Sequence, residues 1–326
     1  SRTWKLPTES KEETRSAYFC ASNWGKQSIS LDITQESQLK RLYELIKTAD
    51  IVIANYKAGA AQKLGVDFET LQKINRHLIY GHITAYGTQD KRVGYDAIIQ
   101  AESGFLYMNG SEGGESVKMP VALVDILAAH QLKEALLIAL LEKKHANTKD
   151  YQGDYVSVSL FDSAIASLAN QATNWLTAGE IPEKKGSQHP NISPYGNVFK
   201  TKDEQEILLA VGNDKHFRTL CEILETEALA DDVRFKTNID RVKHRQELIP
   251  ILELAFKNFT KKFLLTSFKE KQVPAGSINN MKQVFELAEA QNMILSNPEA
   301  PKLRAVRTFV GSNRKDVFLT PPPSLE

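Results

Sequence analysis

The stretch from Met119 to Lys144, MPVALVDILAAHQLKEALLIALLEKK, restricts what this chain can fold into more than any other. From Ile126 to Leu141 it sets apolar residues on nearly every side of a helix, and a helix that is apolar all round belongs inside a large core. A single acid, Asp125, stands at its entrance. Aspartate is a favoured N-cap, because its oxygen accepts a hydrogen bond from the exposed amides of the first turn. The same amides and the helix dipole also stabilise an ionised carboxylate, and a fixed carboxylate can attack an activated acyl group. The residues alone leave both roles open.

The 326 residues suffice for one large or two ordinary domains with ample apolar material. A net charge of +1 with dispersed basic residues leaves no footprint for nucleic acid. The longest apolar run near the centre, Ala135 to Leu141, is far short of the roughly 20 residues that span a bilayer, so no membrane partner is expected. Ser1 to Ser16 is polar and charged and does not read as a signal peptide. Cys20 and Cys221 form no CxxC pair, and they read as reduced, buried or inert thiols of a cytoplasmic protein.

Taken in order, Ser28 to Leu31 predicts a short strand, and Thr34 caps a helix with Leu39, Leu42, Ile46 and Ala49 at helical spacing. The apolar run Ile51 to Ala54 follows at once, the order expected of a parallel sheet covered on both faces. Helices over Ala58 to Leu64 and Phe68 to Asn75 precede a strand over Leu78 to Tyr86. Tyr95 to Met108 carries a helix entry, Asn109 to Ser116 a flexible turn or lid, and the long helix ends on Lys143, Lys144 and His145, where positive charge suits a C-terminus. Val156, Val158 and Leu160 alternate as a strand before one helix over Ser163 to Thr177. Gly179 to Pro194 reads as a linker or active-site loop. A strand at Ile207 to Val211, a helix at Lys215 to Leu224 and a largely helical run from Val242 to Phe268 place a smaller domain after it.

The chain has no P-loop, GxSxG, HExxH or complete GxGxxG after a strand, and its seven histidines lack ligand spacing, so no metal site is expected. His130 and His216 read as packed helix residues. Four stretches then resemble, in register, one family. Asp50-Ile-Val-Ile-Ala-Asn55-Tyr56 is similar to a "DVxxENF" strand end, and Gly94 to Gly104 to a "GYDxxxQAxSG" segment. Val121 to Asp125 is similar to "VAxxD", and Val273 to Asn279 to a "VPxGPxN" turn. The chain resembles the class III coenzyme A transferases, the group that includes formyl-CoA transferase, succinyl-CoA:glutarate transferases and alpha-methylacyl-CoA racemase.

The resemblance implies an α/β fold: a Rossmann-like parallel sheet in a large CoA-binding domain over 1–160, to which 300–326 returns, and a smaller α+β domain over 191–287. Linkers at 161–190 and 288–299 join them, and two protomers interlock as a homodimer. It implies that Asp125 attacks an acyl-CoA thioester, with a small carboxylic acid as the second partner and no permanently bound cofactor. It places Asn55 and Tyr56 on the adenine side of CoA and Lys63 near the phosphates, and assigns Tyr95 and Asp96 to the same binding region. A tyrosine at 95, where the racemase branch has a histidine base, favours transfer over racemisation, since its pKa of about 10 makes it a poor base at neutral pH. The stretch Gly186 to Asn191 resembles the loop that covers the acylated site, and Phe235 to Asn238 with Arg241 to Leu248 resembles the dicarboxylate branch.

The chain also departs from the family. Ala54 replaces a usual glutamate, Ser277 a proline, and Gly25 and Gln27 stand where an asparagine and an arginine are common. Against the family pattern the chain begins inside the N-terminal unit near Arg2-Thr3-Trp4 and stops just past Pro323, without a first strand, loop and helix of the CoA pocket, as expected either of a fragment or of a degenerate member with impaired CoA binding. Two competing readings are therefore carried: an acyl-CoA racemase or epimerase, and a catalytically impaired CoA-binding protein.

Overall fold

A computed structural model describes residues 1–146, 151–307 and 319–324. The chain divides into two units, Asp32–Ser277 and Ser1–Leu31 with Ile278–Glu326. The terminal unit opens with α1 (Ala17–Cys20), whose first turn is capped by Ser16.

In the larger unit α2 (Glu36–Ile46) leads into β1 (Ile51–Ala54), and α3 (Ala60–Leu64) and α4 (Phe68–Ile74) carry the chain over to β2 (Ile79–Thr84). The second crossover holds α5 (Asp96–Glu102), α6 (Phe105–Met108) and α7 (Leu123–His145) and returns to β3 (Asp154–Ser159). The strands pair in the order β1-β2-β3, all parallel, with Ile51 opposite Ile79 and Thr84 opposite Ser159. Parallel strands require such long crossovers. One face of the sheet packs Ile79 with Leu132, Leu136 and Ala139 of α7. The other packs Tyr80 with Leu71 and Ile46 of α4 and α2. Gly81 allows the close approach of α7: a Cβ there would stand 3.2 Å from Leu132 Cδ1 and 3.3 Å from Leu136 Cδ2.

After α8 (Leu160–Ala166) and α9 (Asn170–Ala178) comes an antiparallel sheet of β4 (Tyr195–Lys200), β5 (Glu206–Ala210) and, later, β6 (Ala275–Ser277). Between β5 and β6 lie α10 (Asp214–Ile223), α11 (Ala228–Asp231), α12 (Asn238–Lys243), α13 (Arg245–Phe256) and α14 (Lys261–Glu270). Their core includes Phe199, Ile207, Phe217, Phe235, Leu252, Phe256 and Phe268. Arg241 is fully buried there, yet every side of its guanidinium is engaged: it donates to Ser193 O at 2.8 Å and Phe235 O at 2.9 Å, and pairs with Asp214 at 2.7 Å. A buried charge satisfied in this way fixes the loop it touches.

Back in the terminal unit, α15 (Met281–Val284) and α16 (Ala288–Gln291) precede the pair β7 (Ile294–Leu295) and β8 (Ala305–Val306). The ends of the chain meet here: Cys20 and Trp24 pack with Leu295, Leu303 and Leu319, and Gly25 N donates to Thr320 O at 2.9 Å. Among the described residues no helix is long and apolar enough to cross a membrane, and no group of His, Cys, Asp and Glu could hold a metal ion.

Several expectations are corrected. Ser28 to Leu31 is irregular, because among the described residues it finds no partner strand. Thr34 does not cap α2; its hydroxyl bonds Asp32 at 2.6 Å, and Gln35 takes the cap position without a side-chain bond. The expected single helix over Ser163 to Thr177 is two, α8 and α9, separated where Ala169 has φ 49. His130 is exposed, with Lys133 Nζ donating to it at 2.9 Å. The central helix is not covered all round. Val124, Ala128, Leu132, Leu136 and Ala139 are buried, while Ile126, Leu137, Ile138 and Leu141 are 46%, 51%, 58% and 57% exposed. Within one chain the sheet, α5 and α8 cover only one side of it.

Candidate active site

α7 begins at Leu123 with Ala122 in the cap position, so Asp125 is its third residue and does not cap it. The cap comes from across the crossover. Asp96, in the first turn of α5, accepts a hydrogen bond from Val124 N at 2.8 Å through Oδ1. Its Oδ2 accepts from Gln100 Nε2 at 2.7 Å, and Gln100 Oε1 accepts from Met119 N at 2.9 Å. Ile99, between them, is buried against Val124, Ala128, Leu160 and Ala164.

Asp125 is exposed by surface area, but the protein around it is dense enough to matter electrostatically. Desolvation, and then the neighbouring charge of Asp96, raise its carboxyl above the ordinary aspartate range. Amide hydrogen bonds were expected to hold it ionised; instead, among the described residues no hydrogen bond or ion pair engages it, because Asp96 has taken the amide of the first turn. The result is a carboxylate of raised basicity, open to solvent, at the start of a long helix. Such a group can attack an electrophile or accept a proton.

The other residues singled out by sequence lie along the carboxyl ends of the parallel strands or on the surface nearby. Asn55 follows β1, is exposed, and donates to Ile83 O of β2 at 3.2 Å. Tyr56 turns its carbonyl toward His82, whose Nε2 lies 3.0 Å away. Lys63 is exposed in the last turn of α3. Tyr95 is 73% exposed and supplies the backbone cap of α5. The structure thus brings Asp96 to the helix turn that carries Asp125, and leaves Lys63 and Tyr95 as surface side chains.

Sequence reasoning missed His82, Tyr155 and Gln100. His82 is buried in β2, with Nδ1 hydrogen-bonded to the Tyr155 hydroxyl at 2.9 Å and Nε2–H donating to Tyr56 O at 3.0 Å. The Tyr56 carbonyl can only accept, so it fixes a hydrogen on Nε2. His82 and Tyr155, together with Tyr80, Lys57, Gln62 and Gln89, line a hollow of about 170 Å³ beneath the turn after β1. The signal for Gln100 was available, since Asp96 and Gln100 stand four residues apart on one helix.

The loop from Gly186 to Asn191 is held from several sides. Gly186 N donates to Gly110 O at 2.9 Å, and Asn238 Nδ2 to Asn191 O at 3.0 Å. Arg245, whose guanidinium burial lowers its pKa, reaches Gln188 Oε1 at 3.4 Å and His189 O at 3.0 Å.

The whole chain, residues 1–326, matches the family described as CoA-transferase family III. It is 37% identical over 297 residues to the succinate–glutarate CoA-transferase of Agrobacterium fabrum, covering 89% of this chain and 73% of that one. It is 34% identical over 300 residues to the succinyl-CoA:glutarate CoA-transferase of Homo sapiens, covering 91% of this chain and 66% of that protein. Among solved structures, a CAIB/BAIF family protein from Brucella suis superimposes with a TM-score of 0.84 at 34% identity, covering 99% of this chain and 85% of that one. With its mixed fold of a parallel sheet and covering helices, the chain belongs to CoA-transferase family III.

Proposed function

We propose that this chain moves coenzyme A between an acyl-CoA and a small dicarboxylic acid, with Asp125 as the covalent acyl acceptor. The observation that carries the reading is the placement of Asp125: a carboxylate of raised basicity in the first turn of α7, with no salt bridge among the described residues. The dicarboxylate is taken from the names of the glutarate transferases to which the chain is similar.

The exchange balances in four steps. The Asp125 carboxylate attacks the thioester carbonyl, the carbon–sulfur bond breaks, and CoA leaves as thiolate while a mixed anhydride forms at Asp125. The thiolate attacks the aspartyl carbonyl, releasing the first acid and leaving an Asp125 thioester. The second acid's carboxylate attacks that thioester, expelling CoA again and forming a second anhydride. Thiolate attack on the new acyl carbonyl then gives the product thioester and frees Asp125. Each step exchanges one acyl bond for another, so a positioned nucleophile replaces one difficult transfer by several easier ones.

Asn55, Tyr56 and Lys63 are taken to bind the nucleotide of CoA, with Tyr95 and Asp96 nearer the thioester. The Gly186 to Asn191 loop is taken to shield the anhydride from water. Incubation with succinyl-CoA or glutaryl-CoA should add an acyl or CoA mass at Asp125, and hydroxylamine should convert that adduct to a hydroxamate. Absence of any adduct, with exchange still occurring, would overturn the covalent mechanism. Deuterium uptake at the alpha carbon of an acyl-CoA without an acceptor acid would select the racemase reading instead.

A further inference from the structure

Gln100 is a fully buried amide next to Ile99, through which α5 joins the apolar cluster of Val124, Ala128, Leu160 and Ala164. Burying a primary amide costs free energy unless both its ends are paired, and leucine would fill the same space without that cost. Both ends are paired here. A carboxylate only accepts and a backbone amide only donates, so Nε2 must face Asp96 Oδ2 and Oε1 must face Met119 N. Turning the amide over would lose both bonds.

The geometry places these bonds at the two ends of one segment. Gln100 holds Met119, and Asp96 holds Val124, so the run from Met119 to Val124 is stapled to α5 immediately before Asp125. Asp96 has both oxygens occupied, one by each neighbour. We propose that Gln100 is a positioning residue for the transfer reaction: it orients Asp96, and through Asp96 it fixes the helix turn that presents Asp125. This rests on the assignment of Asp125 as nucleophile.

The elements packed against α7 carry the titratable groups Asp96 and Glu102 on α5, Asp162 on α8, Tyr80 and His82 on β2, and Asp154 and Tyr155 on β3. Glu102 faces Arg92 at 3.8 Å, and Asp96 is the charge that acts on Asp125.

An exchange of functional groups separates positioning from mere support. Asp96→Asn keeps an acceptor for Val124 N but turns an amide donor toward the Gln100 amide, so two donors meet. Adding Gln100→Glu restores every bond: the new carboxylate accepts from the amide at 96 and from Met119 N. It also moves the negative charge to the side of position 96 away from Val124. Folded Gln100→Leu should lose about tenfold to a hundredfold in kcat, the scale of a misplacement of about 1 Å, with little change in KM for acyl-CoA, and folded Asp96→Asn should lose at least as much in kcat. The double variant should be at least about fivefold faster than Asp96→Asn alone, with the acid limb of its pH profile moved to lower pH than the parent's.

A folded Gln100→Leu with parental kcat would overturn the inference, as would a double variant that melts like the parent yet is no faster than Asp96→Asn. Should Gln100→Leu fail to fold, the double exchange still decides. If the parent neither exchanges CoA nor takes up an acyl group, it is the transferase reading that fails. Carbodiimide labelling of Asp125, which needs the protonated acid, then tests the linkage alone. Labelling should persist to higher pH in the parent than in the double variant, and identical labelling profiles would overturn it.

Discussion

A carboxylate placed beside another carboxylate, with no donor of its own, is held in a state it would leave if it could. For Asp125 both causes of the raised pKa, desolvation and Asp96, act against the ionised form. The sign of the linkage follows. The folded pKa lies above the unfolded one, so the native state binds the proton more tightly and stability falls as pH rises through the interval between the two values. Above that interval the full penalty is present. Asp125→Asn removes the charge, so at pH 7 its melting temperature should equal or exceed the parent's, while exchange activity falls by about three orders of magnitude or more. The parental activity should itself be lost on acidification at a pH above the ordinary aspartate range, because protonation there removes the nucleophile. Thermal melts of parent and variant from pH 4 to 8, beside rate profiles over the same range, check both signs. A folded Asp125→Asn variant retaining the parental rate would remove Asp125 from the mechanism.

At the scale of the element, what the sequence made legible depended on whether a residue's partner lay nearby in the chain. The order of β1, β2 and β3 with their crossovers follows from short apolar runs alternating with helical spacing, and the basic last turn of α7 from its own residues. The cap of α7 was not legible, since Asp96 reaches it from 28 residues away. Nor was the role of the Phe235 to Leu248 stretch. Its likeness to a dicarboxylate-transferring branch rests partly on Phe235, Asn238 and Arg241, which here fill the core or hold the 191–193 loop by bonds to Asn191 and Ser193. Such residues carry fold, and substrate choice has to be sought elsewhere. Gly81 is a further case: its reason is the approach of α7, which no local spacing shows. Gly81→Val would force branched carbons against Leu132 and Leu136 and should cost about 1–3 kcal/mol, read as a lowered denaturation midpoint. Gly81→Ala, whose Cβ would meet only the ends of two leucines, should be milder.

At the scale of the whole molecule, α7 poses a question that one chain does not answer. A helix with apolar residues on every side is stable in water only if every side is covered, yet Ile126, Leu137, Ile138 and Leu141 stand about half exposed on the face turned from the sheet. Trp175 and Leu176 of α9 are exposed as well, at 53% and 78%. Reading the sequence alone, one assigns such a helix to a core; in the structure one face of it is buried by the chain itself and the other stands about half exposed. We propose that the occupant of that open face is a second copy threaded through the first, as the family resemblance implies; an obligate homodimer interface is the kind of surface that carries so many apolar side chains. If this is so, the dimer should survive dilution, because protomers that interlock cannot part without unfolding. Sedimentation velocity at nanomolar concentration should show a species of twice the chain's 36.5 kDa, and mixing two differently tagged preparations should yield no mixed dimer until both are denatured and refolded together. Leu137→Glu with Ile138→Lys, on the open face, should leave the parallel sheet and its α7 contacts intact while lowering yield or producing aggregates, since the charges would enter an interface without partners. A compact monomer at nanomolar concentration with undiminished stability would show that the exposed face of α7 is tolerated as it stands and is not the half of an interface.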